Sequence, residues 1–230
     1  MATAAELLDT AIVDLESRLG LKPGQSVGCK PAGGGGKPNG KGKGGNHKEA
    51  AAAPSGKSED QPDICKLEFK VGQIVKVWNH PEADKLYCEE INVGEETPRQ
   101  IASGLRPHFT LEQMQGQRLL VVSNLKPKNL VKFKSHGMVL CAAVPTADGG
   151  EKVEFVEPPA EAPIGEVVTF EGLPKPEPWP QSQVDKKKVF AACMDGMKTT
   201  DDCVATWNGH VFTTSAGPCK TKTIAGGAMR

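Results

Sequence analysis

Five short runs with β-strand character, all within residues 65–144, restrict this chain more than any other feature. The first alternates Leu67, Phe69 and Val71, then resumes at Ile74 and Val75 after Gly72, a glycine that fits a bulge or a barrel bend. The others are Leu86–Val93, Arg99–Leu105, Arg118–Leu125 and Ser135–Val144. A short helix is expected over Thr110–Met114, between the third run and the fourth. Five strands of this length, with a helix at that place, suit a small Greek-key barrel of the OB type. The fold is therefore expected to be all-β, with a five-stranded OB-fold barrel over residues 63–170.

Beyond Pro145 the β pattern returns at Lys152–Val156 and Glu166–Phe170. A proline-rich joint, Pro174–Pro180, leads to a helical stretch over 184–194. Cys203–Trp207 and His210–Thr214 then form a hairpin that turns at Asn208-Gly209. Residues 171–230 are expected to be a smaller β-rich domain packed on the barrel.

The other end of the chain differs sharply in composition. Leu8, Ile12, Leu15 and Leu19 follow helical spacing, and Gly20 and Pro23 stop the pattern, so residues 3–20 predict one amphipathic helix in a segment 1–22. Such a helix docks its apolar stripe on its own protein or on a partner. Residues 23–59 hold 11 glycines, four prolines and six lysines and almost no large apolar side chain. Nothing there can oppose conformational entropy, so a disordered basic linker is expected over residues 23–62.

Lys and Arg total 28, as do Asp and Glu, and the formal net charge is zero. The charges are nevertheless sorted. Between Pro98 and Ala147 lie Arg99, Arg106, Arg118, Lys126, Lys128, Lys132 and Lys134, with Glu112 the one acid, so seven bases less one acid leave this window at +6. A neutral chain with one basic window and a basic linker has a directional field. The seven cysteines are an odd number, form no Cys-x-x-Cys pair and sit in apolar runs such as Val139-Leu140-Cys141-Ala142. That is thiol usage for a reducing compartment. With no secretion-type leader and no 18-residue apolar run, the expected location is the cytoplasm, with no membrane span.

Several catalytic and metal readings fail on their own chemistry. Gly35-x-x-x-x-Gly40-Lys41 has phosphate-loop spacing, but Gly42 stands where a magnesium-holding Ser or Thr is required, and no strand precedes it. Cys193, Cys203, His210 and Cys219 match no zinc module that places two ligands on one knuckle. Ser103 precedes Gly104 outside any Gly-x-Ser-x-Gly elbow, and none of the five histidines lies in a hydrolase context. No catalytic residue, metal or cofactor is assigned.

Nucleic-acid binding has more support. The basic window covers the third to fifth strands and their connections, next to the surface that OB barrels use. Lysines there can neutralise phosphates and release counterions, although a solvated basic face would have the same composition. Aromatic residues make up only 5% of the chain, and Trp78, Tyr87, Phe109 and Phe133 are the ones near that face. Recognition of a folded RNA by shape and backbone therefore fits better than stacking on a long single strand.

His80-Pro-Glu-Ala-Asp-Lys-Leu-Tyr87, Ile101-Ala-Ser-Gly-Leu105, Asn124-Leu-Lys-Pro127 and Ser135-x-x-Met138, taken in this order, resemble the tRNA-binding domain. That module is an OB-fold found alone in bacteria and appended to several aminoacyl-tRNA synthetases. Asp201-Asp-Cys-Val-Ala-Thr-Trp207 narrows the resemblance to the endothelial monocyte-activating polypeptide II type, which carries an extra C-terminal domain. This type occurs in synthetase-complex cofactors and at the end of some tyrosyl-tRNA synthetases. The resemblance covers residues 63–230 and implies structure-dependent tRNA binding without catalysis, in support of a synthetase. It implies RNA contacts at Asn124, Lys126, Ser135 and Met138, and a role for His80, Asp84 and Lys85. Lys128, Lys132, Lys134 and Arg106 join the set through the basic window. His80, Pro81 and Asp84 better suit shaping the loop, and Met138 can equally fill a core.

The family usually follows its Asn-Leu-Lys-Pro motif with a basic residue and a glycine, where this chain has Val131 and Lys132. The resemblance also implies that the C-terminal domain imitates the second subunit of a dimeric bacterial form, leaving the barrel part monomeric. The expected partners are tRNA and an aminoacyl-tRNA synthetase or synthetase complex. The other function considered is that of a protein-interaction factor, with the barrel and tail released as a cytokine-like fragment.

Overall fold

A computed structural model describes residues 60–230. The expected helix over residues 3–20, the linker up to residue 59 and the phosphate-loop spacing at Gly35–Lys41 lie outside the described residues.

The barrel grows from one long strand, β1 (Phe69–Asn79), which pairs antiparallel on one side with β2 (Tyr87–Asn92) and on the other with β4 (Arg118–Val122). β2 pairs with β3 (Arg99–Ser103), and β4 pairs with the two-residue β7 (Met138–Val139), so this sheet has the order β3-β2-β1-β4-β7. A second sheet has the order β10-β13-β12-β11-β15-β8-β9. Its strands are β8 (Cys141–Pro145), β9 (Glu151–Phe155), β10 (Thr169–Phe170), β11 (Met197–Thr199), β12 (Ala205–Trp207), β13 (His210–Thr214) and β15 (Ala228–Met229), with β14 (Gly217–Pro218) paired to β13. The expected helix is present as α1 (Leu111–Met114). Thr110 caps it by accepting from the Gln113 N–H, while the Gln113 side chain returns to the Thr110 N–H.

Four local features differ from the sequence expectation. Cys65 and Leu67 alternate with Phe69, but Asp63–Lys66 is a 3-10 turn closed by Cys65 N–H to Pro62 O and Leu67 N–H to Ile64 O. The register shift in β1 falls between Ile74 and Lys76, not at Gly72. Gly72 answers a different need: a Cβ there would stand 3.0 Å from Ile91 Cγ2 and 3.1 Å from Val121 Cγ2. The single strand expected over Ser135–Val144 is three pieces, because the chain changes sheets. The Leu140 N–H bonds Leu120 O in the first sheet and its carbonyl accepts from Val156 beside the second. Alternation cannot register a change of partner. Finally, the helix expected over 184–194 is two helices, α2 (Gln181–Lys186) and α3 (Val189–Met194), broken at Lys188 with φ 51°. The hairpin at Asn208-Gly209 forms as expected, with φ 49° and 87° at its two centre residues.

β4 explains how the two sheets join. Leu119 and Val121 face the barrel interior with Ile74, Ile91, Ile101 and Met114, while Leu120 and Val122 face a second core. That second core runs across residue 170: Phe69, Leu120 and Leu140 share it with Val184, Val189, Cys193, Met197 and Phe212. Phe69, Phe170 and Phe212 meet edge-on, with ring centroids 4.9–6.0 Å apart. Among the described residues, no helix is long and apolar enough to cross a membrane.

Among the described residues one carboxyl is buried in the barrel interior. Glu89, on β2, is fully buried; its Oε1 accepts from the Ser103 hydroxyl and its Oε2 has no partner. Burial pushes this carboxyl up to about 7 from an ordinary 4.5, against the opposing effect of the Ser103 hydrogen bond. The folded protein thus holds this proton more tightly than the unfolded chain. The stability it contributes is complete below pH 4.5 and is lost as pH rises through 7.

Two outcomes are expected. Phe212→Ala, which opens the shared core, costs about 3–5 kcal/mol. Denaturant titration followed by both Trp fluorescence and far-ultraviolet circular dichroism should give one coincident transition, and separate transitions would contradict a shared core. Glu89→Gln frees the barrel from the cost of ionisation, so variant and wild-type stabilities should diverge as pH rises from 5 to 8, by on the order of 3 kcal/mol at the upper end. Parallel curves would show that Glu89 does not titrate in this range.

Candidate nucleic-acid interface

The connection between β4 and β7 holds a hairpin that strand-length runs did not foresee. β5 (Lys128–Leu130) and β6 (Phe133–Ser135) pair with Leu130 opposite Phe133, leaving Val131 and Lys132 as a two-residue turn. Both have positive φ, 45° and 69°, the signature of a tight hairpin turn that Asn-Gly fits without strain. A β-branched valine in that region is strained. The departure from the family's glycine therefore falls on the turn itself.

The base of the hairpin is clamped from both sides. The Asn124 side chain accepts from the Glu68 N–H at 2.8 Å and donates to Lys66 O at 2.9 Å and Trp179 O at 3.0 Å. The Ser135 hydroxyl accepts from the Ala102 N–H at 3.1 Å and donates to Gly137 O at 3.0 Å. Arg99 donates to Ser123 O and His136 O, one on each stem, while Glu95 holds its guanidinium at 2.6 and 2.7 Å. The hairpin tip rests on β1 through Phe133, whose ring meets Trp78 at 6.2 Å and His80 at 6.3 Å.

The loop from His80 to Leu86 closes on itself. The His80 N–H bonds Leu86 O, and His80 Nδ1 accepts from the Glu82 N–H at 3.1 Å. Glu82 then pairs with Lys132 at 2.8 Å, and Asp84 lies 3.8 Å from Arg106. Lys132 holds the Glu82 carboxyl below the usual carboxylate range, by hydrogen bond and charge. Three loops are in this way gathered at one end of the barrel.

The expected site residues divide by exposure. Lys85, Lys126, Lys128, Lys132 and Lys134 are exposed, Arg106 is half-buried, and all lie on these loops or the hairpin. Lys126 has an exposed partner, Asp185, at 3.4 Å, and such pairs are weak enough for a phosphate to displace. Asn124, Ser135 and His80 were placed among the RNA contacts by resemblance. In the structure they are 6%, 4% and 4% exposed, and the hydrogen bonds above occupy them. Met138 is half-buried against the second core.

Arg99 and Arg118, counted in the basic window, are turned inward, Arg118 onto Ala162 O. Tyr87 is buried with its hydroxyl on Phe109 O, and Phe109 stacks on Phe155 at 4.5 Å, so Trp78 and Phe133 are the aromatics left at the tip. Lys76 was not anticipated; it lies 5.1 Å over the Trp78 ring, a contact between residues two apart on β1.

Among the described residues no group of three or more His, Cys, Asp or Glu is placed to hold a metal. Cys193 and Cys219 are buried, and burial pushes both thiols up to about 12, the behaviour of packing cysteines.

Comparison with known proteins places this geometry. The family described as "Putative tRNA binding domain" matches residues 69–167. The crystal structure of the C-terminal domain of Plasmodium vivax p43 is 35% identical, covers 73% of this chain and 99% of its own, and superposes with a TM-score of 0.67. Methionine–tRNA ligase, cytoplasmic, of Arabidopsis thaliana is 40% identical over 189 residues, 79% of this chain and 23% of that protein. Aminoacyl tRNA synthase complex-interacting multifunctional protein 1 of Cricetulus griseus is 36% identical over 192 residues, 83% of this chain and 51% of that protein. The chain belongs to the tRNA-binding domain family, in the endothelial monocyte-activating polypeptide II-like form that continues past the barrel. It matches from about a fifth to about a half of the length of these two curated relatives.

Val131→Asn should relieve the turn. Asparagine tolerates the left-handed region, so a gain of about 1 kcal/mol is expected. Thermal denaturation checks it, and a loss of stability would mean that Val131 contributes more by packing than it costs in backbone strain.

Proposed function

We propose that this protein is a non-catalytic tRNA-binding adaptor that grips folded tRNA by shape and backbone and serves an aminoacyl-tRNA synthetase or a synthetase complex in the cytoplasm. The observation that carries this reading is the lysine hairpin. Lys128, Lys132 and Lys134 stand exposed on a two-stranded finger whose base is held by Asn124, Ser135 and Arg99. A rigid array of cations at fixed spacing suits a phosphate backbone of fixed shape. Lys85, Lys126 and Arg106 extend the array across the neighbouring loops. Asn124, Ser135 and His80 act by positioning these loops, and Met138 lies beside the hairpin base. The names of the relatives, two tied to synthetases or their complex, supply the proposed partner. The lysine-rich residues 23–59 add diffuse attraction, the helix expected at 3–20 attaches the adaptor to its partner, and the barrel part works as a monomer.

The test is a gel-shift titration at about 0.15 M salt with folded tRNA, the same tRNA heat-unfolded, and single-stranded RNA of equal length. Folded tRNA should bind best. Lys128→Ala and Lys134→Ala should each weaken it, and should lower the slope of log affinity against log salt by about 0.7–0.9 per lost phosphate contact. Equal binding of all three RNAs, unaffected by either substitution, would overturn the proposal.

A further inference from the structure

β3 and β9 are edge strands of different sheets, and a cleft of about 300 Å³ opens between them. Leu105, Val139 and Val153 provide apolar walls, and Ser103, the exposed His108 and the Glu151–Arg230 ion pair provide polar groups. That volume is at the lower end for small-ligand sites. The cleft begins where the lysine hairpin ends. Ser135, the last residue of β6, bonds Ala102, and Ala102 and Met138 both line the cleft. Leu105, on the cleft wall, precedes Arg106 in the chain, so the cleft lies next to the cationic side chains at that end of the barrel.

Behind Ser103 lies Glu89, with one oxygen on the Ser103 hydroxyl and the other unpartnered. No basic side chain pairs with it among the described residues. An acid on the face that Tyr87, Ile91 and the other apolar residues of the barrel core occupy is costly to bury with one oxygen unpartnered. Its effect is on Ser103. With its proton committed to Glu89, the hydroxyl keeps its acceptor capacity for a donor in the cleft. A flat group with apolar faces and an N–H at its edge fits these walls, and the unpaired positions of a folded RNA can present one. Resting on the RNA-binding reading above, we propose that this cleft takes one unstacked nucleobase of the bound tRNA, which donates an edge N–H to the Ser103 hydroxyl.

The test uses the full chain with a small aliphatic diazirine amino acid in place of Val153 and, separately, in place of Lys128. Each is irradiated with folded tRNA, or with labelled nucleoside monophosphates alone, and cross-links to tRNA are mapped by reverse-transcription stops. Position 153 should cross-link to one or two unpaired nucleotides. Ser103→Ala should weaken tRNA binding about three- to tenfold without changing its salt slope, since no phosphate contact is lost. Cross-links from position 128 but none from 153 would overturn the cleft and leave the lysine hairpin standing. Cross-linking at 153 to the free monophosphates and not to tRNA would overturn it as well, in favour of a mononucleotide site. Unchanged affinity in Ser103→Ala would remove Ser103 as the contact. No tRNA cross-link from either position, with no gel shift, would bring down the RNA-binding reading and this proposal together.

Discussion

Three phenylalanine rings hold this molecule together. Phe69 opens the first strand of the barrel, Phe170 ends β10 of the second sheet and Phe212 comes from the C-terminal hairpin, and the three rings meet edge to face. Edge-on aromatic contacts have both a large buried area and a preferred geometry, so they set distance and angle together. Around them β4 shows apolar side chains to both sides, Leu119 and Val121 to one core, Leu120 and Val122 to the other. The barrel therefore cannot shift without moving the C-terminal strands, and β8 carries that coupling onward by pairing with both β9 and β15.

The candidate interface inherits this rigidity at second hand. None of the clamps at the hairpin base belongs to the hairpin strands alone. Asn124 reaches the Glu68 and Lys66 backbone and Trp179, Ser135 reaches Ala102, and Arg99 bridges both stems from β3. Trp179 is itself buried, and the ammonium groups of Lys66 and Lys187 lie 4.6 and 4.9 Å from its ring centroid. The lysines thus stand on a frame that includes the C-terminal segment, which gives a physical reason for the barrel and its extension to travel as one piece. Against that rigidity stands the turn at Val131-Lys132, where backbone strain is kept at the tip.

A net charge of zero coexists with a cluster of exposed lysines at one end of the barrel because folding sorts the charges further than the chain order does. Two arginines of the basic window go to structural tasks, and the lysines remain outside. Acids are placed as their partners: Glu82 on Lys132, Asp84 near Arg106 and Asp185 on Lys126. These pairs are wholly or partly exposed, so they hold the loops in place without neutralising the surface strongly.

Much of the architecture was legible in the chain itself. Alternation located the barrel strands, the short run Thr110–Met114 located the helix between the third and fourth of them, and Asn208-Gly209 located the C-terminal turn, because each depends on residues close in sequence. The same holds for the ordered motifs that carry the family resemblance. Tertiary structure decided the rest. Only the exchange of partners at Leu140 shows that one run serves two sheets. Only the fold shows that Asn124, Ser135 and His80 turn inward while their lysine neighbours do not, since a polar residue is buried or exposed according to which distant backbone groups come within reach. Glu89 shows the division most simply: alternation with Tyr87, Ile91 and Val93 puts it on the inward face of its strand, but its bond from Ser103 and its unpartnered second oxygen follow from the pairing of β2 with β3, which chain order does not record.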